Sequence, residues 1–200
     1  MNTEWSLEVY YKGYEDPAFA EDFELLQKNA QTLETALGQA REQDDVQGLV
    51  TVLEAKEAYA KVLFKLNEYL ALRNSVDTTD GKTLDHIGRL DKINASTAKA
   101  QSAMDKYIAG VADLEACIAA HPLLTEYAFL LRNTKKKAVH LFSDEMEAMI
   151  SRMNLTGGNA WSRLFDYLTS TLKVDYDGEQ ITLPAVRNLA NDPDGAVRKK

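Results

Sequence analysis

The residues that could perform hydrolytic or metal chemistry are few and far apart in this sequence. Its three histidines are His86, His121 and His140. A hydrolytic zinc site on one helix needs two histidines four residues apart and a glutamate that activates the bound water. No histidine here is followed by glutamate, and none lies near another. The sequence therefore predicts no catalytic, metal-binding or cofactor-binding residue within these 200 residues.

The remaining reactive side chains have ordinary structural interpretations. His86 falls in the first turns of a long predicted helix, where a partly exposed position is expected. His121 precedes Pro122 and is expected to mark a helix break. His140 lies near Ser143, a predicted helix cap. Cys117 lies among alanine and isoleucine, which predicts a buried, unreactive thiol.

Three polar motifs resemble ligand sites but lack the required residues. The segments 77–81 and 175–179 are rich in aspartate, yet neither has the ligand order or the closing glutamate of a calcium loop. Turn formation explains both segments. The glycine pair at 157–158 is not followed by the Lys-Ser/Thr of a phosphate loop. Lys135, Lys136 and Lys137 are predicted to end a helix in solvent.

Composition limits the class of protein. A net charge of −8 argues against a general nucleic-acid binder, because no basic surface is offered to phosphates. With 45% apolar residues the chain can bury a sizeable core. One cysteine suits a reducing compartment, and neither a secretory signal nor a membrane span is recognisable. We therefore expect a cytoplasmic protein with no membrane partner.

The first half of the sequence predicts long antiparallel helices behind an aromatic strap. Residues 1–15 contain Trp5, Tyr10, Tyr11 and Tyr14 and should lie over the helices. Helical spacing of apolar residues predicts a first helix from Pro17 to about residue 38, a second over about 46–73 and a third over about 83–119. Short connections make neighbouring helices antiparallel. Residues 1–120 are thus predicted to be one long-helix array.

The second half, residues 121–200, predicts a smaller helical unit with one β-hairpin over 172–183. A helix is expected over 123–137, another after the cap Ser143, and a third after the cap Asn159. The third should bury an inner face, which consists of Trp161, Leu164, Phe165 and Leu168. Asp177-Gly178 predicts a two-residue hairpin turn that pairs Tyr176 with Glu179, Val174 with Ile181 and Leu172 with Leu183. Helices are then expected after Thr182 and after Asp192-Pro193.

An ordered set of short segments resembles one peptidase family. In the second half they are Leu141-x-Ser143-Asp144-Glu145-x-Glu147, Gly157-Gly158, Ala160-Trp161, Thr182-Leu183 and Asp192-Pro193-Asp194 with Val197-Arg198. Earlier segments are Trp5-Ser6-Leu7, Tyr10-Tyr11, Asp16–Phe19, Asn74–Asp80 and His121–Leu124. Together they resemble the N-terminal region of oligoendopeptidase F, a zinc metallopeptidase of the thimet-oligopeptidase-like group. The resemblance lies in the order of the segments, since none of them is a mechanistic motif.

The resemblance implies a non-catalytic role for these residues within a larger enzyme. The parent would hold zinc and hydrolyse short peptides in a later domain, where a zinc-activated water would attack the peptide carbonyl. The present region would scaffold the enzyme and wall its substrate channel, with the C-terminal catalytic domain of the same chain as its partner. We accordingly expect the native polypeptide to continue beyond Lys200. The alternative is a free-standing helical module that binds another protein and has no catalytic activity.

Overall fold

Three long helices dominate the first part of the computed structural model, which describes residues 6–140 and 142–199. They are α1 (Pro17–Ala40), α2 (Asp45–Val76) and α3 (Gly81–Gly110). Each begins behind an aspartate, at position 16, 44 or 80, whose carboxylate accepts a hydrogen bond from a backbone N–H of the first turn. The chain is mainly helical, as its apolar periodicity predicts.

The three helices are antiparallel neighbours. Asn29 of α1 donates its side-chain amide to the carbonyl of Ala58 of α2. Lys65 of α2 is paired with Asp22 of α1. Between α2 and α3, Tyr59 donates to Asn94 over 3.2 Å, and Lys56 is paired with Asp105. Sequence numbers therefore rise along one helix and fall along its neighbour in both pairs.

The N-terminal strap packs onto this array as predicted. Tyr11 is buried, its ring centroid lies 5.1 Å from that of Phe19 and 5.0 Å from that of Tyr69, and both pairs meet edge to face. Its hydroxyl donates to Asp22 over 2.6 Å, and Lys65 donates to the same carboxylate over 2.7 Å. Burial, and then the hydrogen bond to Asp22, raise the pKa of Tyr11 above its usual value. Trp5 lies outside the described residues.

The predicted third helix over 83–119 is wrong as one element. The structure ends α3 at Gly110 and begins α4 (Leu114–Ala120) after three intervening residues. Val111 is extended, with φ −63° and ψ 122°, and Asp113 caps α4 by accepting from the backbone N–H of Ala116. Lys135, 24 residues downstream of Val111, donates to the carbonyl of Val111 over 2.5 Å. A cation from another helix thus satisfies the backbone at the break, which local periodicity cannot reveal.

Shorter elements complete the chain. They are α5 (Pro122–Glu126), α6 (Ala128–Lys137), a 3₁₀ turn (Ala138–His140), α7 (Asp144–Thr156), α8 (Gly158–Thr171), β1 (Lys173–Tyr176), β2 (Glu179–Thr182), α9 (Leu183–Leu189) and α10 (Gly195–Arg198). Ser143 caps α7 and Thr182 caps α9, as predicted. The last short helix follows Asp192-Pro193 as expected, with Asp194 as its cap.

The predicted hairpin register is confirmed. Tyr176 pairs with Glu179 and Val174 with Ile181, and the N–H of Leu183 donates to the carbonyl of Leu172 over 3.0 Å. The turn has positive φ at both central positions, 54° at Asp177 and 82° at Gly178. Both values suit the right-handed twist of the paired strands.

The hydrophobic core of the described residues extends from Tyr11 to Leu131 and stops there. It is shared by the strap, the long helices and α4–α6, since Leu124 and Leu131 are fully buried. Beyond Leu131, no residue whose side chain the structure describes is buried. The segment from α7 to α10 therefore has secondary structure without a core of its own. The division at residues 120 and 121 stays a prediction.

Candidate functional site

The three histidines lie apart in the fold and take structural positions. His86 is on α3 in an aromatic cluster, where its ring centroid lies 5.0 Å from Phe19 and 4.8 Å from Tyr14. Loss of hydration, followed by the nearby Arg89, lowers the pKa of His86 below its usual 6.5. His121 caps α5 by accepting the N–H of Leu123 at Nδ1 over 3.2 Å. His140 is exposed at the end of the 3₁₀ turn.

Cys117 is buried in the core, as predicted from its apolar neighbours. Burial is the main cause that raises the pKa of its thiol, and Asp45 adds to the effect. A thiol that resists ionisation is a poor nucleophile. The structure therefore places Cys117 among packing residues.

The acidic segments are turns, as predicted. Asp77 accepts from both the backbone N–H and the hydroxyl of Thr79, over 2.8 and 2.6 Å. These hydrogen bonds lower the pKa of Asp77. Asp175 accepts from the N–H of Gly178 over 3.1 Å and so fixes the hairpin turn. Within residues 6–140 and 142–199 no group of histidine, cysteine, aspartate and glutamate side chains is arranged to hold a metal ion.

The feature that sequence reasoning misjudged is the apolar face of α8. Trp161, Leu164, Phe165 and Leu168, which we call the α8 face, were expected to point inward, yet all four are exposed. Trp161 keeps 70% of its accessible surface and Phe165 keeps 67%. The helical spacing is as predicted, but no residue that the structure describes covers this face. Exposed aromatic surface of this kind is typical of an interaction site.

A second apolar stripe lies on α7. Met146, Met149 and Met153 recur at steps of three and four on one side of the helix, and all three are exposed. Methionine has a flexible, polarizable side chain that adapts to irregular partner surfaces. The helices α7 and α8 thus present uncovered apolar side chains, whereas the core-forming helices before the 3₁₀ turn mostly bury theirs.

Polar contacts hold this part of the chain against the long helices. The guanidinium of Arg163 on α8 donates to Asp91 on α3 over 2.8 Å and to the carbonyl of Leu155 at the end of α7 over 3.3 Å. The hydroxyls of Thr78 and Ser170 lie 2.6 Å apart and link the α2–α3 turn to α8. The α8 face stays exposed in the presence of these contacts.

The predicted cap Asn159 is wrong, and the reason lies in the junction between α7 and α8. Only Gly157 separates the two helices, and Asn159 falls inside the first turn of α8. The N–H of Gly157 donates to the carbonyl of Met153, and its own carbonyl accepts from Trp161. A Cβ at Gly157 would approach the Met153 carbonyl oxygen to 2.9 Å, so the tight junction favours glycine.

Lys135 differs from its predicted role as a solvated helix end. It lies in the last turn of α6 and donates to the Val111 and Ala112 carbonyls.

The described helices include none that combines the length and the hydropathy required to span a bilayer.

A protein-family model matches a stretch of this sequence that contains the α8 face. The peptidase M3 N-terminal family model, described as oligopeptidase F, matches residues 110–173. The match begins at the end of α3 and ends at the first residue of β1, so it contains both the α7 stripe and the α8 face. No curated protein and no solved structure matches the chain.

The matched stretch contains the segments around Ser143 and Trp161 on which the family resemblance was recognised. It leaves out residues 1–109 and 174–200, where the resemblance of the strap, of Asn74–Asp80, of Thr182-Leu183 and of Asp192–Arg198 stays a prediction. Over residues 110–173 the chain carries the sequence pattern of oligopeptidase F, and its resemblance to the N-terminal region of the oligoendopeptidase F family is confirmed there.

Proposed function

We propose that this chain is the N-terminal, non-catalytic portion of an oligoendopeptidase-F-like zinc metallopeptidase. Its role is to scaffold the enzyme and to wall a channel that admits short peptides. The family match over residues 110–173 carries this proposal. Under this proposal, as the family resemblance implies, zinc binding and hydrolysis belong to a C-terminal catalytic domain of the same polypeptide. A cytoplasmic location is part of the proposal.

The α8 face supports the scaffolding role. Trp161 and Phe165 expose aromatic rings that a folded protein usually covers. The two-stranded hairpin that follows α8 is contacted by the short helix α9, and such a hairpin is marginal in water without more extensive packing. A further domain of the enzyme would supply that packing. In this arrangement the long helices form the rigid wall, and α7–α10 join it to the catalytic domain.

The same exposed rings would also suit the alternative, a free-standing helical interaction module. Its partner would be a separate protein, and no catalytic domain would be required. Reading the coding sequence beyond the Lys200 codon separates the two proposals. A downstream His-Glu-x-x-His segment supports the peptidase, and a continuation without one supports the module.

The non-catalytic role has its own test. Purified residues 1–200 should leave short internally quenched peptides uncleaved and should retain less than one equivalent of zinc after dialysis. Cleavage above background that is abolished by a chelator would overturn the proposal. A longer polypeptide that includes the downstream segment serves as the positive control.

A further inference from the structure

A recess of about 500 Å³ opens on the long-helix array, and its lining residues do not include those of the α8 face. Leu33 of α1, Leu53 and Phe64 of α2, and Leu130 of α6 contribute apolar walls. Tyr59 and Tyr127 add two further aromatic rings. We call it the Ala60 recess, because Ala60 lies midway along its α2 wall. Only two of its lining residues, Tyr127 and Leu130, fall within the family match.

The sequence of α2 explains why a space exists there. Residues 57, 60, 61 and 64 share one side of the helix because they are spaced by three and four. Phe64 and Glu57 are long, but Ala60 between them carries only a methyl group. Ala60 therefore fills little of the volume that Tyr127 and Leu130 also line, and the recess stays open there.

The charged groups around the recess are already paired with one another. Lys61 donates to Glu57 over 2.6 Å, and the hydroxyl of Tyr127 also hydrogen-bonds to Glu57. Lys56 is paired with Asp105 of α3. Hydrogen bonding to Lys61 lowers the pKa of Glu57, so that carboxylate stays ionised and paired. A charged ligand would have to disrupt these pairs, whereas an uncharged one would leave them intact.

We propose that the Ala60 recess binds a small uncharged aromatic molecule. Its volume lies within the range of about 300–1,000 Å³ that is common for small-ligand sites. Tyr59, Phe64 and Tyr127 line it with rings that can meet an aromatic ligand edge to face. Phe64 is 63% exposed and lies at the mouth, where it would cover a bound ring. This site is independent of the peptidase proposal.

The test uses 4-fluorotoluene as the probe and fluorine NMR of the probe as the readout, on the full 200-residue chain. Saturable binding is expected. Ala60→Leu should weaken it and Ala60→Phe should weaken it further, by at least about tenfold, because each fills more of the space above α2. Ala58→Leu is the matched control, since Ala58 is exposed and lies two residues away on another side of the same helix. It should bind like the parent.

Two further experiments test whether the probe binds at the Ala60 recess itself. Binding to each variant is also measured with the added substitution Phe165→Glu, which removes weak association of the probe with the α8 face. N-acetyl-4-fluorophenylalanine amide carries the same ring on a peptide unit. Its binding shows whether the Ala60 recess also accepts an aromatic ring that belongs to a peptide. No saturable binding in the parent, or equal binding in the parent and in a folded Ala60→Leu variant, would overturn the proposal. Melting curves by circular dichroism establish that each variant is folded.

Discussion

Arg163 of α8 and Asp91 of α3 form an ion pair, with Nη1 and Oδ2 2.8 Å apart, that ties the family-matched region to the long-helix array. The two side chains come from positions 72 residues apart, and each is partly shielded from solvent. The same guanidinium reaches the carbonyl of Leu155. One side chain therefore links three helices at the point where the described hydrophobic core has already ended.

Removing this pair should loosen α8 by a modest amount. A double-mutant cycle with Asp91→Asn and Arg163→Met is expected to give a coupling of about 0.5–1 kcal/mol, because partly exposed ion pairs contribute little. Arg163→Met should cost more than Asp91→Asn, since it also removes the hydrogen bond to Leu155. Urea unfolding measures both values. Arg152→Met, a change at an exposed arginine of α7, is the control. A coupling of zero would mean that the pair does not hold α8.

The close approach of α2 to the end of α1 should make Gly48 intolerant of a side chain. A Cβ there would lie 2.1 Å from the Tyr107 hydroxyl and 2.7 Å from the Ala40 carbonyl oxygen. Gly48→Ala is therefore expected to destabilise the fold by about 2 kcal/mol, as overpacking usually does. Tyr107→Phe removes the nearer atom and should recover part of the loss, although the backbone oxygen remains.

Thermal unfolding of Gly48→Ala, Tyr107→Phe and the double variant measures this rescue. Gly38→Ala is the matched control, because a Cβ at that position meets no atom within 4 Å. It should stabilise the protein slightly through the better helix propensity of alanine. Equal stability of Gly48→Ala and Gly38→Ala would contradict the close contact.

Helix caps and turns, which depend on neighbouring residues, were predictable from the sequence. Contacts between residues far apart in the sequence were not. The caps Ser143 and Thr182 and the hairpin turn at Asp177-Gly178 act within a few residues, so their patterns predicted the structure correctly. The helix break at Gly110 was missed because apolar spacing continues through it. Val111 is buried, although its backbone is extended. Lys135 stabilises that break through its hydrogen bond to the Val111 carbonyl, and the spacing of apolar residues does not reveal this contact.

The α8 face shows the same difference between local and long-range features. The period of Trp161, Leu164, Phe165 and Leu168 predicts an apolar helix face, and the face exists. Periodicity does not say whether the partner of that face lies in the same 200 residues. Burial was therefore predicted where the structure has exposure. The Ala60 recess was missed for a related reason, since it depends on α1, α2, α3 and α6 meeting around one small residue.

His86 should make stability depend on pH in a mildly acidic range. Its pKa is lowered in the folded state by loss of hydration and by Arg89, so the unfolded chain binds a proton more readily. The free energy of unfolding is therefore unaffected well above the unfolded pKa of 6.5, and it falls as the pH drops through that value toward the lower folded pKa. Asp80, Asp85 and Glu15 oppose the shift and limit its size.

His86→Phe should remove this dependence, because phenylalanine fills the aromatic cluster without binding a proton. Urea unfolding between about pH 7.5 and about pH 5.5 compares the two proteins, above the range where most carboxylates titrate. His140→Phe, at an exposed position, is the control and should keep the parental slope. An unchanged slope in His86→Phe would assign the pH dependence to other groups.

The α8 face should drive self-association of the isolated chain. Phe165→Glu places a charge among exposed rings and is expected to weaken association by at least about tenfold, an effect of about 1.4 kcal/mol. The free energy of unfolding should change by less than about 0.5 kcal/mol, because Phe165 is already exposed in the monomer. Ser162→Glu adds the same charge at an exposed polar position of α8 and should leave association unchanged. Sedimentation velocity over a range of concentrations distinguishes these outcomes. A parent that stays monomeric at every concentration, or equal association in both variants, would show that the α8 face does not mediate contact between copies.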